Sequence, residues 1–95
     1  MSYRAPVRDI AFALDAVAGI GQVAATGAFP DYDADVASAV LDAAGQFSEE
    51  VLAPLNRVGD TEGCTWSESG VKTPTGFKEA YQQFVEGGWP SLAHD

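Results

Sequence analysis

Apolar residues recur at helical spacing in three stretches of the chain. In the first, Val7, Ile10, Leu14 and Val17 fall three and four apart, which is one face of a helix. Pro6 has no hydrogen bond to lose at a first helical position, and Asp9 suits the positive end of the helix dipole. Gly19 and Gly21 weaken the pattern, and Gly27 with Pro30 ends it. In the second and longest stretch, Val36, Val40, Ala44, Phe47 and Val51 form a stripe that Leu41, Leu52 and Leu55 widen, with Asp33 or Asp35 as its cap. Pro54 lies inside this pattern, so a kink or break is expected near Glu50 and Val51, with Gly59 as the stop. The third helix is expected to open with Thr73 as cap and Pro74 at its first position. It presents Phe77, Tyr81, Phe84 and Val85 on one face and ends at Gly87-Gly88. Beyond it, Trp89-Pro90-Ser91-Leu92 should leave in an extended direction, because the residue before a proline avoids the helical region. Residues 59–73 read as loop, in which Thr65-Trp66 and Val71-Lys72 are placed to pair as a small hairpin. Such a hairpin is marginal unless it leans on something. The expected fold class is therefore all-α: about three helices and a short irregular or hairpin stretch near residues 60–73.

Composition narrows the function classes. Ninety-five residues make one small domain at most. Hydrophobic residues are 46% of the chain, but sixteen of them are alanines, which bring little bulk to a core. Five Lys and Arg against fourteen Asp and Glu leave a net charge of −9. That balance argues against a general nucleic-acid binder, which needs a basic footprint, and against docking on an anionic membrane. No apolar run approaches the roughly 20 residues of a membrane span. Cys64 is the single cysteine, so neither an intrachain disulfide nor a cysteine zinc cage is available, and a reducing, cytoplasmic setting is expected. Arg4, Arg8 and Ala16-Val17-Ala18 imitate parts of an export signal. The apolar stretch 10–14 between Asp9 and Asp15 is too short for one.

Several constellations resemble sites, and each has a plainer reading. Gly19-Ile20-Gly21-Gln22-Val23-Ala24 matches a dinucleotide pattern, but that pattern needs a strand before it, and the preceding residues have helical periodicity. Asp31, Asp33, Asp35 and Asp42 have calcium-loop spacing, yet Val36 stands where the loop needs glycine, and acidic helix capping is the better reading. Glu49 and Glu50 are adjacent and point about 100° apart on a helix, so they do not converge as an acid pair. Cys64 and His94 lack a third orienting group. Trp66, Phe77, Tyr81, Phe84 and Trp89 gather aromatic area in the last third and are expected to form core. No Lys or Arg occurs between Asp9 and Asn56, which reads as a solvated acidic surface or a face for a basic partner.

The run Phe47-Ser48-Glu49-Glu50-Val51-Leu52-Ala53-Pro54-Leu55-Asn56-Arg57-Val58-Gly59-Asp60 resembles the N-terminal region of acyl-CoA dehydrogenases, in particular their long bacterial branch. Gly63-Cys64, Thr73-Pro74-Thr75-Gly76-Phe77-Lys78-Glu79-Ala80-Tyr81 and Gly87-Gly88-Trp89 continue the likeness in order. Tyr3-Arg4-Ala5-Pro6-Val7-Arg8-Asp9 resembles the leader of the same branch. The resemblance implies a flavoenzyme that removes hydrogens from the α and β carbons of an acyl-CoA and passes electrons to FAD. It also implies a helical N-terminal domain followed by a β domain and a helical bundle, and a complete enzyme that is a homo-oligomer. The family's catalytic carboxylate and main flavin contacts belong to the later parts. No catalytic, cofactor-binding or metal-binding residue is therefore assigned within 1–95. The expectation is a partial N-terminal helical domain, inactive alone and binding neither FAD nor acyl-CoA. It would pack against the remaining domains and help wall the acyl-CoA site. The alternative is a free-standing acidic helical interaction module. The two differ physically: a module buries the apolar faces of its helices, whereas a fragment leaves them uncovered.

Overall fold

A computed structural model describes residues 2–94. The chain forms two compact units, Met1–Glu49 and Glu50–Asp95.

The first unit holds three helical segments, where periodicity predicts a single helix and then part of a second. Helix α1 spans Val7–Phe12 and closes in a π-helical turn, Ala13–Val17, with the Ala18 N–H donating to the Ala13 carbonyl at 2.9 Å. Gly19 follows with φ 64°, a left-handed conformation that costs glycine least. This reversal divides the expected first helix, and α2 (Ile20–Ala25) begins directly after it. Helix α3 (Ala34–Phe47) is capped by Asp33, not Asp35. The Asp33 carboxylate accepts from the Asp35 N–H at 2.7 Å and the Val36 N–H at 3.3 Å. Packing within this unit depends on Gly45, which is buried. A methyl group built there lies 2.9 Å from Val7 Cγ2 and 3.3 Å from Ala5 Cβ, so the start of α1 rests directly on the α3 backbone. Glu49 fastens the leader. One carboxylate oxygen accepts from the Ala5 N–H at 2.8 Å, and the other lies 3.8 Å from the Arg4 guanidinium.

Between α3 and α4 (Ala53–Glu62) the chain makes a second π-helical turn, Ser48–Leu52. This is the irregularity that Pro54 predicts. Proline has no N–H to give the Glu50 carbonyl, and its ring would press on that carbonyl in a regular helix, so the turn widens. Gly59 does not stop α4, contrary to expectation. The stop is Gly63, with φ 65°. Gly59 keeps helical geometry because its missing side chain makes room for Phe77, whose ring would lie 2.8 Å from a methyl group there.

The second unit contains α4, a hairpin and α5 (Phe77–Glu86). Strands β1 (Thr65–Ser67) and β2 (Gly70–Lys72) pair antiparallel, with Trp66 opposite Val71 as the sequence anticipates. Helix α5 begins three residues later than expected: Gly76 is its N-cap with φ 89°, and Thr73 is not the cap. The reason lies in what surrounds the turn. Pro74 is buried, and Glu62 at the end of α4 holds Thr75 by both its hydroxyl (2.8 Å) and its N–H (3.1 Å). Helix α5 ends at Gly87 and Gly88 as predicted, but the next residues turn back instead of extending. Trp89–Ser91 form a 3-10 turn. The Ser91 hydroxyl donates to the Gly88 carbonyl at 2.8 Å, and the Trp89 indole lies over Gly87.

The expected cores are largely absent. Among the described residues, Gly45, Pro74 and Ala80 are buried, and no large side chain is. Val40, Ala44, Phe47 and Val51 of the predicted stripe are half-buried, but Val36 is exposed. On the first helical segment Val7 and Leu14 are half-buried, while Ile10 and Val17 face solvent. The aromatic set does not form a core either. Trp66 is 74% exposed and Tyr81 66%, Phe77 is exposed, and only Phe84 and Trp89 are half-buried. The total accessible surface is 7732 Å². Two separate globules of about 5 kDa would together expose only about 6,300 Å². The surplus is larger than the roughly 800 Å² that one partner contributes to a standard protein interface.

Candidate functional site

The helical spacing of the second unit builds a concave feature between α4 and α5. From the α4 side come Leu52, Leu55, Asn56, Gly59, Asp60 and Gly63, at intervals of three and four. From α5 come Phe77, Ala80, Tyr81 and Phe84, again at intervals of three and four. Pro74 and Cys64 complete an apolar groove of about 730 Å³. Its size falls within the range of ligand sites, about 300–1,000 Å³. Gly59 lets Phe77 close on α4, and Leu55 reaches to within 2.8 Å of a methyl group built on Gly76, so the two helix faces stay in register. Tyr81 and Phe84 stack obliquely, with centroids 6.4 Å apart and planes tilted by 32°.

The groove is poor in catalytic equipment. Asp60 is its single carboxylate, and no lysine, arginine or histidine lines it. The Asp60 side chain is exposed and makes no hydrogen bond or ion pair among the described residues. Cys64 is an exposed free thiol at the edge. His94 is not part of the lining, and its N–H is used by the Ser91 carbonyl at 3.1 Å. Glu62, at the end of α4, has a lowered pKa. The two hydrogen bonds from Thr75 and the nearby Lys72 charge hold its carboxyl below the usual range.

The other sequence candidates do not converge. Gly19 follows a π-helical turn, not a strand, and the helix after it has six residues. Asp33 spends its carboxylate on the α3 cap, and Val36, where a calcium loop needs glycine, is in the first turn of that helix. Glu49 holds the leader while Glu50 faces solvent. Among the described residues, no three His, Cys, Asp or Glu side chains gather as metal ligands, and no helix is long and apolar enough to cross a membrane. Sequence reasoning missed the groove as a site. Its signal was the coincidence of two stripes, 52–63 and 77–84, each at helical spacing.

No family model matches the chain. Two curated proteins do. The 3-methylmercaptopropionyl-CoA dehydrogenase of Ruegeria pomeroyi is 45% identical over 94 residues, which is 99% of this chain and 16% of the relative. The broad-specificity linear acyl-CoA dehydrogenase FadE5 of Mycobacterium tuberculosis is 30% identical over 95 residues, covering 98% of this chain and 16% of that protein. The chain thus spans about one sixth of the length of the relatives it matches. Both likenesses run through the same helices and glycine-bounded turns that shape the groove. Over the stretch it spans, the chain is similar to acyl-CoA dehydrogenases.

Proposed function

We propose that these residues are the N-terminal helical part of a flavin-dependent acyl-CoA dehydrogenase, a cytoplasmic homo-oligomer when complete. The parent reaction is α,β-dehydrogenation of an acyl-CoA thioester. The chain's own part in it is structural: its helices pack against the remaining domains and help wall the acyl-CoA site. The full-span identity to the Ruegeria enzyme carries this reading. The exposed apolar faces support it over a free-standing acidic module, which would bury them.

FAD supplies the acceptor for the hydrogens removed from substrate, and the described residues do not fit it. The glycine pattern at 19–24 lacks the strand and the full helix N-terminus that receive a pyrophosphate, and the apolar groove offers a carboxylate where a dinucleotide brings negative charge. Flavin binding therefore belongs to other parts of the enzyme.

A graft tests the reading. In the Ruegeria dehydrogenase, the matched stretch is replaced by this chain. The graft should purify with stoichiometric flavin and oxidise 3-methylmercaptopropionyl-CoA within about tenfold of the parent rate. The 95-residue chain alone should bind neither FAD nor acyl-CoA by calorimetry. A graft that folds with parental circular dichroism yet holds no flavin and turns over no substrate would sink the proposal.

A further inference from the structure

Residues 64–73 leave the body of the second unit after Gly63 and rejoin it at Pro74, which is buried. All six residues of β1 and β2 are exposed, so neither face of the hairpin is buried against a helix. A two-stranded hairpin is marginal by itself, and this one is braced from within. Trp66 and Val71 pair across the strands. Side chains close the turn: the Ser67 and Ser69 hydroxyls are hydrogen-bonded at 2.9 Å, and the Ser67 hydroxyl donates to the Gly70 carbonyl at 3.3 Å. Its attachment is of a different kind. Gly63 has φ 65° and ψ −177°, backbone that glycine adopts at least cost, and a methyl group built there meets nothing within 4 Å. One side chain holds the two ends of the excursion together. Glu62 accepts from the Thr75 N–H and the Thr75 hydroxyl, and the Lys72 charge on β2 acts on the same carboxylate. Bonds to a carboxylate are strong for their kind, but Glu62 is exposed, so water competes for it. We infer that residues 64–73 are a hinged arm and that Glu62 and Thr75 are its clasp. With the clasp closed the arm keeps one orientation; with the clasp open it swings about Gly63 with its strands still paired. Gly63 and Cys64 line the groove, so the position of the arm sets the width of that end of it. The inference holds whatever the groove takes up.

Two spin labels read the swing. In the graft, with Cys64 and every other cysteine replaced by serine, nitroxides are attached through Glu68→Cys in the hairpin turn and Gln82→Cys on α5, both exposed positions. Pulsed electron spin resonance then gives the distribution of distances between them. With the clasp intact the distribution should be single and narrow. Glu62→Ala removes both bonds to Thr75 and should broaden it at least about twofold, whereas Thr75→Val removes one bond and should broaden it less. Hydrogen exchange of the hairpin amides should stay as slow in both variants as in the unaltered graft. An unchanged width in Glu62→Ala overturns the inference, and so does a broad distribution with the clasp intact. Broadening together with lost hairpin protection also overturns it, because the strands then separate instead of swinging as one body. Flavin content and turnover of the same samples report on the functional reading separately: a released arm in a graft without flavin leaves the inference standing and counts against that reading. If the graft does not fold, the 95-residue chain carries the same labels and the same outcomes decide.

Discussion

Gly21 and Gly45 both lie inside helices with ordinary helical backbone, and the same substitution should act on them with opposite sign. A methyl group at Gly21 meets nothing within 4 Å, so Gly21→Ala gains helix propensity and should stabilise by about 0.5–1 kcal/mol. At Gly45 the same methyl meets Val7 at 2.9 Å and Ala5 at 3.3 Å, so Gly45→Ala should destabilise by about 1–3 kcal/mol through overpacking. Thermal melts of the grafted enzyme check both. Glu62 supplies a pH prediction. Its hydrogen bonds from Thr75 lower its pKa, so its contribution is fully present above the ordinary carboxylate value and is lost as pH falls through the lower, folded value. The protection of the Thr75 amide, measured against its intrinsic exchange rate at each pH, should therefore fall on acidification through that range, and Glu62→Gln should remove that fall. An unchanged profile in Glu62→Gln would show that another group controls it.

At the scale of elements, some helix boundaries follow from local chemistry and others from what packs around them. Asp33 is placed to cap because its carboxylate reaches two free N–H groups of α3. Asp33→Ala should cost about 1 kcal/mol, seen as earlier melting and faster exchange of the Asp35 and Val36 amides. Had Asp35 been the cap, that substitution would be near neutral. Pro54 makes its irregularity legible from sequence, since the missing N–H and the ring clash are properties of the residue itself. The opposite holds for Gly59 and Gly63. Gly59 reads as the stop, and the Phe77 ring packed against it accompanies the continuation of the helix to Gly63. The start of α5 departs from its expected place for a similar reason. Thr73-Pro74 has the composition of a helix opening, but the grip of Glu62 on Thr75 and the burial of Pro74 move the boundary to Gly76.

For the whole molecule, the energetics follow from exposure. Burial stabilises by about 25 cal/mol per Å² of apolar surface, and a chain with no large buried side chain gains little of it. Even a good small core yields only about 3–5 kcal/mol. The isolated chain should accordingly be helical but loosely packed, and should self-associate through its apolar faces at high concentration. In that state Phe84→Ala should cost far less than the roughly 3–5 kcal/mol expected at a packed aromatic site. In the grafted enzyme, where the proposed packing against the remaining domains covers this face, the penalty should approach that figure. Urea unfolding read by circular dichroism, with hydrogen exchange on the same samples, checks both arms. A sharp transition and protected amides in the isolated chain would favour the free-standing module.

Residue pattern alone was enough for the helical class, the irregularity before Pro54, the end of α5 at Gly87 and the Thr65–Lys72 hairpin. It also carried the family likeness, because ordered residue identities survive without any coordinates. Periodicity further announced which faces are apolar. It did not tell whether those faces are covered, because burial depends on what else is present in space and not on the spacing of one helix. Hence Trp66, Phe77 and Tyr81 read as core and are exposed. The two stripes of the groove are legible along the chain, but that they face one another is not. The groove exists only because Gly59 and Gly76 let two separate stripes approach closely enough to face one another.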